Sequence, residues 1–219
     1  MIIDNVLNEI FSKRSNVSVL RILNKHLTGI TGREVARLAG LSPKNCLISL
    51  TDLENLGVIT RVRGGRDHHF TINRKNFLVK NSIIPLLKSE SNYEESIYQM
   101  IINKMQPKCI SVILFGSVAR KEERISSDLD LCLVYDEKDS LEAIEDAMSE
   151  LQAEFRKKFH ITASPFYITE SEFKLRSKKN RPPVTDIIKE GKLIFGKTIN
   201  GLLNDTRNKK SIRRKVRLH

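Results

Sequence analysis

Apolar residues in the first 80 positions recur at the spacing of amphipathic helices. Residues 17, 20, 23 and 27 are all apolar, as expected for one face of a helix over Val17–Leu27. A second helix is predicted from Thr31, where Thr31 and Glu34 form a capping box. A third helix is predicted from the Ser-Pro step at 42–43 to Gly57, since serine is a good N-cap and proline suits the first helical position.

Two short segments after the third helix are rich in β-forming residues. Val58–Val62 and His68–Ile72 flank a loop that contains consecutive glycines, Gly64 and Gly65, a pattern typical of a β-hairpin. This order of helices followed by a two-stranded wing, over residues 15–75, resembles the winged helix-turn-helix family. The resemblance implies that the third helix enters the major groove of duplex DNA and that the wing lies along the backbone.

The same resemblance implies a set of DNA-contacting residues. They are Lys44, Asn45 and Ser49 on the third helix and Arg61, Arg63 and Arg66 on the wing. Contacts from arginine to phosphate give affinity without sequence preference. The alternative is a module that mediates only dimerisation or other protein contacts.

After residue 80 the pattern predicts helices that alternate with strands. Hydrophobic residues at 93, 97, 100, 101 and 105 predict a connecting helix within 81–105. Apolar strands are expected over 109–115 and 128–135, followed by a helix capped by Asp139, a third strand near 161–168, two short helices and a final strand over 192–195. We therefore expect an α+β protein with four regions. These are a winged helix-turn-helix domain at 1–80, the connecting helix at 81–105, a mixed sheet with helices on one face at 106–200, and a tail at 201–219.

Two aspartates interrupt the second apolar strand. Alternate side chains share a face of a strand, so Asp128 and Asp130 are expected to project together. Adjacent carboxylates on an apolar strand are costly unless a cation lies between them, and Mg²⁺ prefers such oxygen ligands. Gly116-Ser117, which ten residues separate from Asp128, opens a short basic helix whose backbone N–H groups can bind phosphate. The pattern indicates a site for a nucleoside triphosphate and its magnesium.

The strand, the Gly-Ser turn, the basic helix and the Asp-x-Asp strand together resemble the minimal nucleotidyltransferases of the DNA polymerase beta superfamily. Kanamycin-type aminoglycoside adenylyltransferases and the antitoxin partners of HEPN toxins look similar. The resemblance implies that Asp128 and Asp130 bind Mg²⁺ and catalyse, and that Gly116 and Ser117 hold the β- and γ-phosphates. It also suggests Arg120 and Lys121 as countercharge and ATP as the expected triphosphate.

One position departs from that family. Active members place a third carboxylate on the third strand as a base toward the acceptor hydroxyl, and here that position is predicted at Ser164. The sequence holds no Asp or Glu between Phe155 and Thr169. The family's glycine after the arginine of the short helix is also replaced, by Lys121. The metal and nucleotide half of the site therefore looks intact, and the acceptor half looks altered.

Charge is concentrated at the two ends of the chain, which has a formal net charge of +12. Residues 1–80 carry +7, residues 81–200 carry −1 and residues 201–219 carry +6. This distribution suggests a polyanionic partner such as nucleic acid, and a solubilising surface is the alternative. No apolar run reaches the roughly 20 residues that span a bilayer, so a cytoplasmic protein without membrane partners is expected. Cys46, Cys109 and Cys132 lie far apart and are expected to be reduced core thiols.

Two functions follow from these patterns. The first is an enzyme that transfers a nucleotide monophosphate to a protein side chain, a small molecule or a nucleic acid. The second is a DNA-binding regulator whose nucleotidyltransferase domain turns over weakly or not at all, either as a nucleotide sensor or as an antitoxin that binds a HEPN-type toxin. Ser164 favours the second, and the complete Gly-Ser and Asp-x-Asp pattern favours the first. A homodimer is a further expectation.

Overall fold

The computed structural model describes residues 3–64 and 67–204. Their contacts divide the chain between Tyr93 and Glu94 into two compact units. Within the part of the chain that is described, no helix is both long and apolar enough to cross a bilayer.

The N-terminal unit combines helices with a small antiparallel sheet. Its elements in chain order are α1 (Val6–Ile10), α2 (Arg14–Lys25), β1 (Ile30–Thr31), α3 (Gly32–Ala39), α4 (Pro43–Asn55), β2 (Ile59–Gly64), β3 (Asp67–Ile72), a π-helical turn (Val79–Ile83) and α5 (Ile84–Ser91). The strands lie in the order β1-β3-β2, and both pairs are antiparallel. The hairpin of β2 and β3 was predicted from its Gly-Gly loop, whereas the two-residue strand β1 was not.

The predicted N-caps of this unit are confirmed, although the Glu34 side chain binds Arg37 and does not complete the predicted capping box. The Thr31 hydroxyl accepts a hydrogen bond from the Glu34 backbone N–H at 3.3 Å, and the Ser42 hydroxyl accepts one from the Asn45 N–H at 3.3 Å. Each cap satisfies an N–H group that has no partner within its own helix. Caps depend on residues three positions apart, which is why the sequence reveals them.

The predicted connecting helix is two helices in the structure. The π-helical turn and α5 place Val79, Ile83 and Leu87 in the hydrophobic core of the N-terminal unit. The next helix, α6 (Tyr93–Met105), places Ile97 and Met105 in the core of the C-terminal unit. The apolar positions from 93 to 105 form α6 as predicted, whereas the bounds 81–105 were wrong, because the two parts of this segment bury their apolar residues in different cores.

The C-terminal unit is built on a four-stranded mixed sheet. Its elements are α6, β4 (Ser111–Phe115), α7 (Gly116–Arg120), β5 (Leu129–Tyr135), α8 (Leu141–Phe159), β6 (Ala163–Thr169), α9 (Glu170–Lys178), α10 (Val184–Glu190), β7 (Lys192–Gly196) and α11 (Ile199–Leu203). The strand order is β6-β5-β4-β7, with β5 and β6 parallel and the other two pairs antiparallel. The predicted mixed sheet is confirmed.

Helices cover both faces of this sheet, which corrects the prediction of helices on one face. Alternate strand residues such as Leu131 and Leu133 pack with α6 and α8, while Cys132 and Val134 pack with α9, α10 and α11 on the other side. The strands read as almost continuous apolar runs because both of their faces are buried. The helix α11 also continues the fold into the predicted tail, whose residues 205–219 lie outside the described part of the chain.

The structure also corrects the predicted cap of α8 and confirms the prediction for the three cysteines. The cap of α8 is Ser140, whose hydroxyl accepts from the Ala143 N–H at 3.4 Å, whereas the predicted cap Asp139 accepts from the Asp136 N–H instead. The three cysteines are free and buried, as predicted. Burial raises the pKa of the Cys109 and Cys132 thiols to about 12, which keeps both protonated near neutral pH.

Candidate active site

The Gly-Ser turn lies where β4 ends and α7 begins, and Gly116 makes it possible. Gly116 has φ +73°, a left-handed conformation that side chains disfavour. A Cβ atom built there would lie 2.0 Å from the Asp130 Oδ2 atom. The Asp130 carboxylate therefore fills the space that any other residue at 116 would need. Glycine allows the turn and the carboxylate to approach each other closely.

Asp128 and Asp130 lie at the start of β5, next to this turn. Asp130 is half-buried and pairs in the ladder with Phe115, the last residue of β4. Asp128 is exposed and precedes β5, which begins at Leu129 and not at Asp128 as predicted. Burial raises the pKa of the Asp130 carboxyl and the charge of Asp128 raises it further, while Arg120 opposes both effects.

The two carboxylates suit a hard cation. Among the described residues, no side chain or backbone group donates a hydrogen bond to either carboxylate, so their oxygens are free to coordinate. A cation between them would relieve the repulsion and desolvation that raise the Asp130 pKa. Carboxylate oxygens in such pairs are ligands that Mg²⁺ prefers. The residues present therefore fit the metal that the sequence suggests.

Ser164 lies beside Asp130 on the neighbouring strand. The parallel ladder of β5 and β6 pairs these two residues directly, with Cys132 opposite Phe166 two positions further on. Since Cys132 and Phe166 both belong to the side covered by α9, α10 and α11, Asp130 and Ser164 face that same side. Ser164 is exposed, so the position that lacks a carboxylate is open to an acceptor.

Arg120 and Lys121 occupy different environments at the end of α7. The Arg120 guanidinium donates to Glu122 Oε2 at 2.8 Å and to Glu190 Oε1 at 2.5 Å, and these contacts raise its pKa. The positive charge that was predicted for the phosphates is therefore already paired with two carboxylates. Lys121 is exposed and has φ +61°, in the left-handed region. A glycine at this position, as in the family, would adopt that conformation without strain.

Glu190 is the residue of this site that the sequence did not reveal. It ends α10, and its Oε1 atom accepts hydrogen bonds from the Gly116 N–H at 3.3 Å and from Arg120 Nη1 at 2.5 Å. The contact joins residues 74 positions apart, so no local sequence pattern predicts it.

The six residues proposed for DNA contact do not share one environment. Lys44 and Asn45 are exposed on α4, and Arg63 is exposed on β2. Arg61 is also exposed but pairs with Glu54 at 3.0 Å, and Arg66 lies outside the described residues.

Ser49 does not face outward, which corrects its prediction as a groove residue. It is fully buried and donates a hydrogen bond to the Ser15 hydroxyl at 2.7 Å. It lies three residues after Cys46 and four before Leu53, both of which point into the core from the same face of α4. The helical period therefore places Ser49 on the buried side.

A comparison with protein families covers the part of the chain that contains this site. Residues 95–200 match the family model described as Polymerase beta, Nucleotidyltransferase. No curated protein matches the chain. The chain is similar to a crystal structure of a toxin-antitoxin with AMP-PNP, at 18% identity and a TM-score of 0.33, over 55% of this chain and 91% of that one.

It is also similar to a mutant of the toxin-antitoxin MntA-HpeT, at 16% identity and a TM-score of 0.36, over 57% of this chain and 91% of that one. The family match covers the sheet, the Gly-Ser turn and both aspartates. Residues 95–200 of this chain form a nucleotidyltransferase domain of the polymerase beta family.

Proposed function

We propose that this chain is a magnesium-dependent nucleotidyltransferase that transfers a nucleotide monophosphate from a nucleoside triphosphate, with ATP as the expected donor, to an acceptor hydroxyl. The observation that carries the proposal is the contact between Gly116 and the Asp130 carboxylate. It brings the Gly-Ser turn and the metal-binding strand together within a domain of this family.

Each residue has a role in that reaction. Asp128 and Asp130 would hold Mg²⁺, which supplies countercharge for the phosphates. Gly116 and Ser117 would hold the β- and γ-phosphates at the start of α7. The acceptor oxygen then forms a bond to the α-phosphorus as the bond to the bridging oxygen breaks, and pyrophosphate leaves. The acceptor gives up its proton in this step.

Ser164 limits the rate of that transfer. Its hydroxyl lies beside Asp130, where the resemblance to this family implies a carboxylate, and a serine hydroxyl is too weak a base to take the proton near neutral pH. The protein should therefore bind the triphosphate well and transfer it slowly when alone. A protein side chain, a small molecule or a nucleic-acid end could each supply the acceptor.

For the N-terminal unit we propose a winged helix-turn-helix that binds duplex DNA. The exposed residues Lys44 and Asn45 on α4 and Arg63 on β2 support this role, and Arg61 and Arg66 are kept as contacts to phosphate. Arg61 must first exchange its pairing with Glu54. Ser49 is no longer included, because it is buried.

A second candidate function is a DNA-binding regulator with little or no turnover, as a nucleotide sensor or as an antitoxin that binds a HEPN-type toxin. The observation that favours it is the exposed serine at 164 in place of a base. In that case nucleotide binding would change the affinity for DNA or for the partner protein, with no product formed.

A transfer assay separates the two. The protein is incubated with α-³²P-labelled triphosphates, Mg²⁺ and cell extract, and label on protein, RNA and small molecules is measured. The enzyme predicts a labelled product that is absent with Asp128→Asn/Asp130→Asn and with EDTA. Wild-type protein that binds nucleotide yet labels nothing would support the regulator.

A further inference from the structure

The carboxylate of Glu190 joins both ends of the short helix α7. At the first residue it accepts the Gly116 N–H at 3.3 Å, and at the last it accepts Arg120 Nη1 at 2.5 Å. The side chain of Phe115, which precedes the helix, supplies no cap. Glu190 therefore satisfies, from a distant part of the chain, one of the N–H groups at the start of the helix that have no partner within it.

The fold holds Glu190 in place against this turn. Gly191 follows it at a tight corner between α10 and β7, where an added Cβ would lie 2.3 Å from the Ile187 carbonyl oxygen. The next residue, Lys192, pairs with Leu114 on β4, two positions before Gly116. Only 22% of the Glu190 side chain is exposed, against 41% for Arg120.

The contacts of Glu190 continue to the metal-binding carboxylate. Gly116 donates to Glu190 on one side and leaves no room for a side chain against Asp130 Oδ2 on the other. Any movement of the turn away from Glu190 therefore changes the distance between the turn and Asp130. Arg120 offsets the charge of Glu190, which limits the repulsion that this carboxylate would exert on a bound phosphate.

We propose that Glu190 is a positioning residue of the nucleotidyltransfer site: it fixes the Gly116 amide and the Arg120 side chain so that the Gly-Ser turn stays against Asp130. Its effect on nucleotide binding rests on the proposed function, whereas its effect on the turn does not. If Glu190 instead blocked the phosphate position until nucleotide displaced it, Glu190→Ala would bind nucleotide more tightly than the wild type.

The first measurement is amide hydrogen exchange at Gly116 by NMR, on the full chain without nucleotide. Glu190→Ala should speed exchange about tenfold, the factor expected for the loss of one charge-assisted hydrogen bond. Glu190→Gln, which keeps an acceptor of the same size, should restore part of the protection. Glu122→Ala is the matched control, since Glu122 binds Arg120 but not Gly116, and it should leave the Gly116 amide protected.

The second measurement is the Kd of an Mg²⁺-loaded, non-hydrolysable ATP analogue by calorimetry. Glu190→Ala and Arg120→Ala should each weaken binding about tenfold, and the double variant should bind no more weakly than the worse single variant, because both act through one interaction. Unchanged exchange at Gly116, or binding by Glu190→Ala as tight as or tighter than the wild type, would overturn the positioning role. If Glu190→Ala speeds exchange at Gly116 but the wild type binds no nucleotide, Glu190 still positions the turn and the proposed function is refuted.

Discussion

At residue 116, the space for a side chain is already filled by a carboxylate. Gly116→Ala would meet two penalties, the left-handed φ of +73° and a Cβ within 2.0 Å of Asp130 Oδ2. The first costs about 1–2 kcal/mol, and the second forces either the turn or Asp130 to move. We expect magnesium-dependent nucleotide affinity to fall about tenfold or more in calorimetry.

The control for this change is Gly40→Ala. Gly40 has φ +64° but no atom within 4 Å of its Cβ position, so the substitution adds backbone strain without a clash. It should lower the free energy of unfolding and leave nucleotide affinity unchanged. Equal nucleotide affinity in Gly116→Ala and wild type would mean that the turn does not set the position of Asp130.

Ser164 carries the second prediction at this scale. Ser164→Asp would place a carboxylate directly across the ladder from Asp130, at an exposed position where it can reach an acceptor hydroxyl. A positioned general base contributes about 10²–10⁴-fold, so transfer in the labelling assay should rise toward that range without tighter nucleotide binding. Ser164→Asn adds the same volume without charge and should not raise transfer. Fast nucleotide transfer by the wild type, together with slower transfer by Ser164→Asp, would contradict the role given to this position.

At the scale of elements, the helix caps of the N-terminal unit were predictable from the sequence, the second helical layer and Ser49 were missed although the pattern signals them, and the contact of Glu190 leaves no local signal. The caps Thr31 and Ser42 were found because each binds an N–H three residues away. The second helical layer on the sheet was missed, although apolar residues on both faces of β4 and β5 signal a sheet buried on both sides. Ser49 was wrongly predicted to face the DNA groove, although its spacing from Cys46 and Leu53 places it on the buried face of α4. Glu190 could not be found, since only the folded sheet brings α10 to the Gly-Ser turn.

The exposed residues of α4 and β2 predict binding of duplex DNA with a steep salt dependence. Each phosphate contact contributes about −0.9 to the slope of log affinity against log salt concentration. Arg63→Ala in the full chain should weaken binding to all sequences and reduce the slope by about that amount. Fluorescence anisotropy with a labelled duplex between low and moderate salt measures both.

Two controls make that result specific. Ser49→Ala should not change the salt slope, because its hydroxyl is buried against Ser15. The chain truncated after Asn204 removes the basic tail, which could supply a similar slope by itself. If Arg63→Ala leaves both affinity and slope unchanged in the truncated chain, the strand β2 does not contact phosphate.

At the scale of the whole molecule, the chain joins a basic N-terminal unit to a nucleotidyltransferase domain over residues 95–200. The sequence identified that domain because the spacing of Gly116-Ser117 to Asp128 and Asp130 reflects a local strand-turn-strand unit. The acceptor is determined by surfaces that bind a second molecule. Such surfaces are not marked by residues at a fixed spacing in the sequence, so the acceptor could not be predicted. The proposed function therefore depends first on the binding of Mg²⁺ and nucleotide by the Gly-Ser turn and the two aspartates.

The most direct test is a calorimetric titration of the wild-type chain with an ATP analogue, with and without Mg²⁺, beside Asp128→Asn/Asp130→Asn. The exposed pair Glu145→Gln/Asp146→Asn removes the same number of carboxylates from α8, which packs on the opposite face of the sheet from Asp130, and serves as the control. The account predicts Mg²⁺-dependent binding in the wild type and the control, and its loss in Asp128→Asn/Asp130→Asn. Equal Mg²⁺-dependent affinity in all three proteins would contradict it.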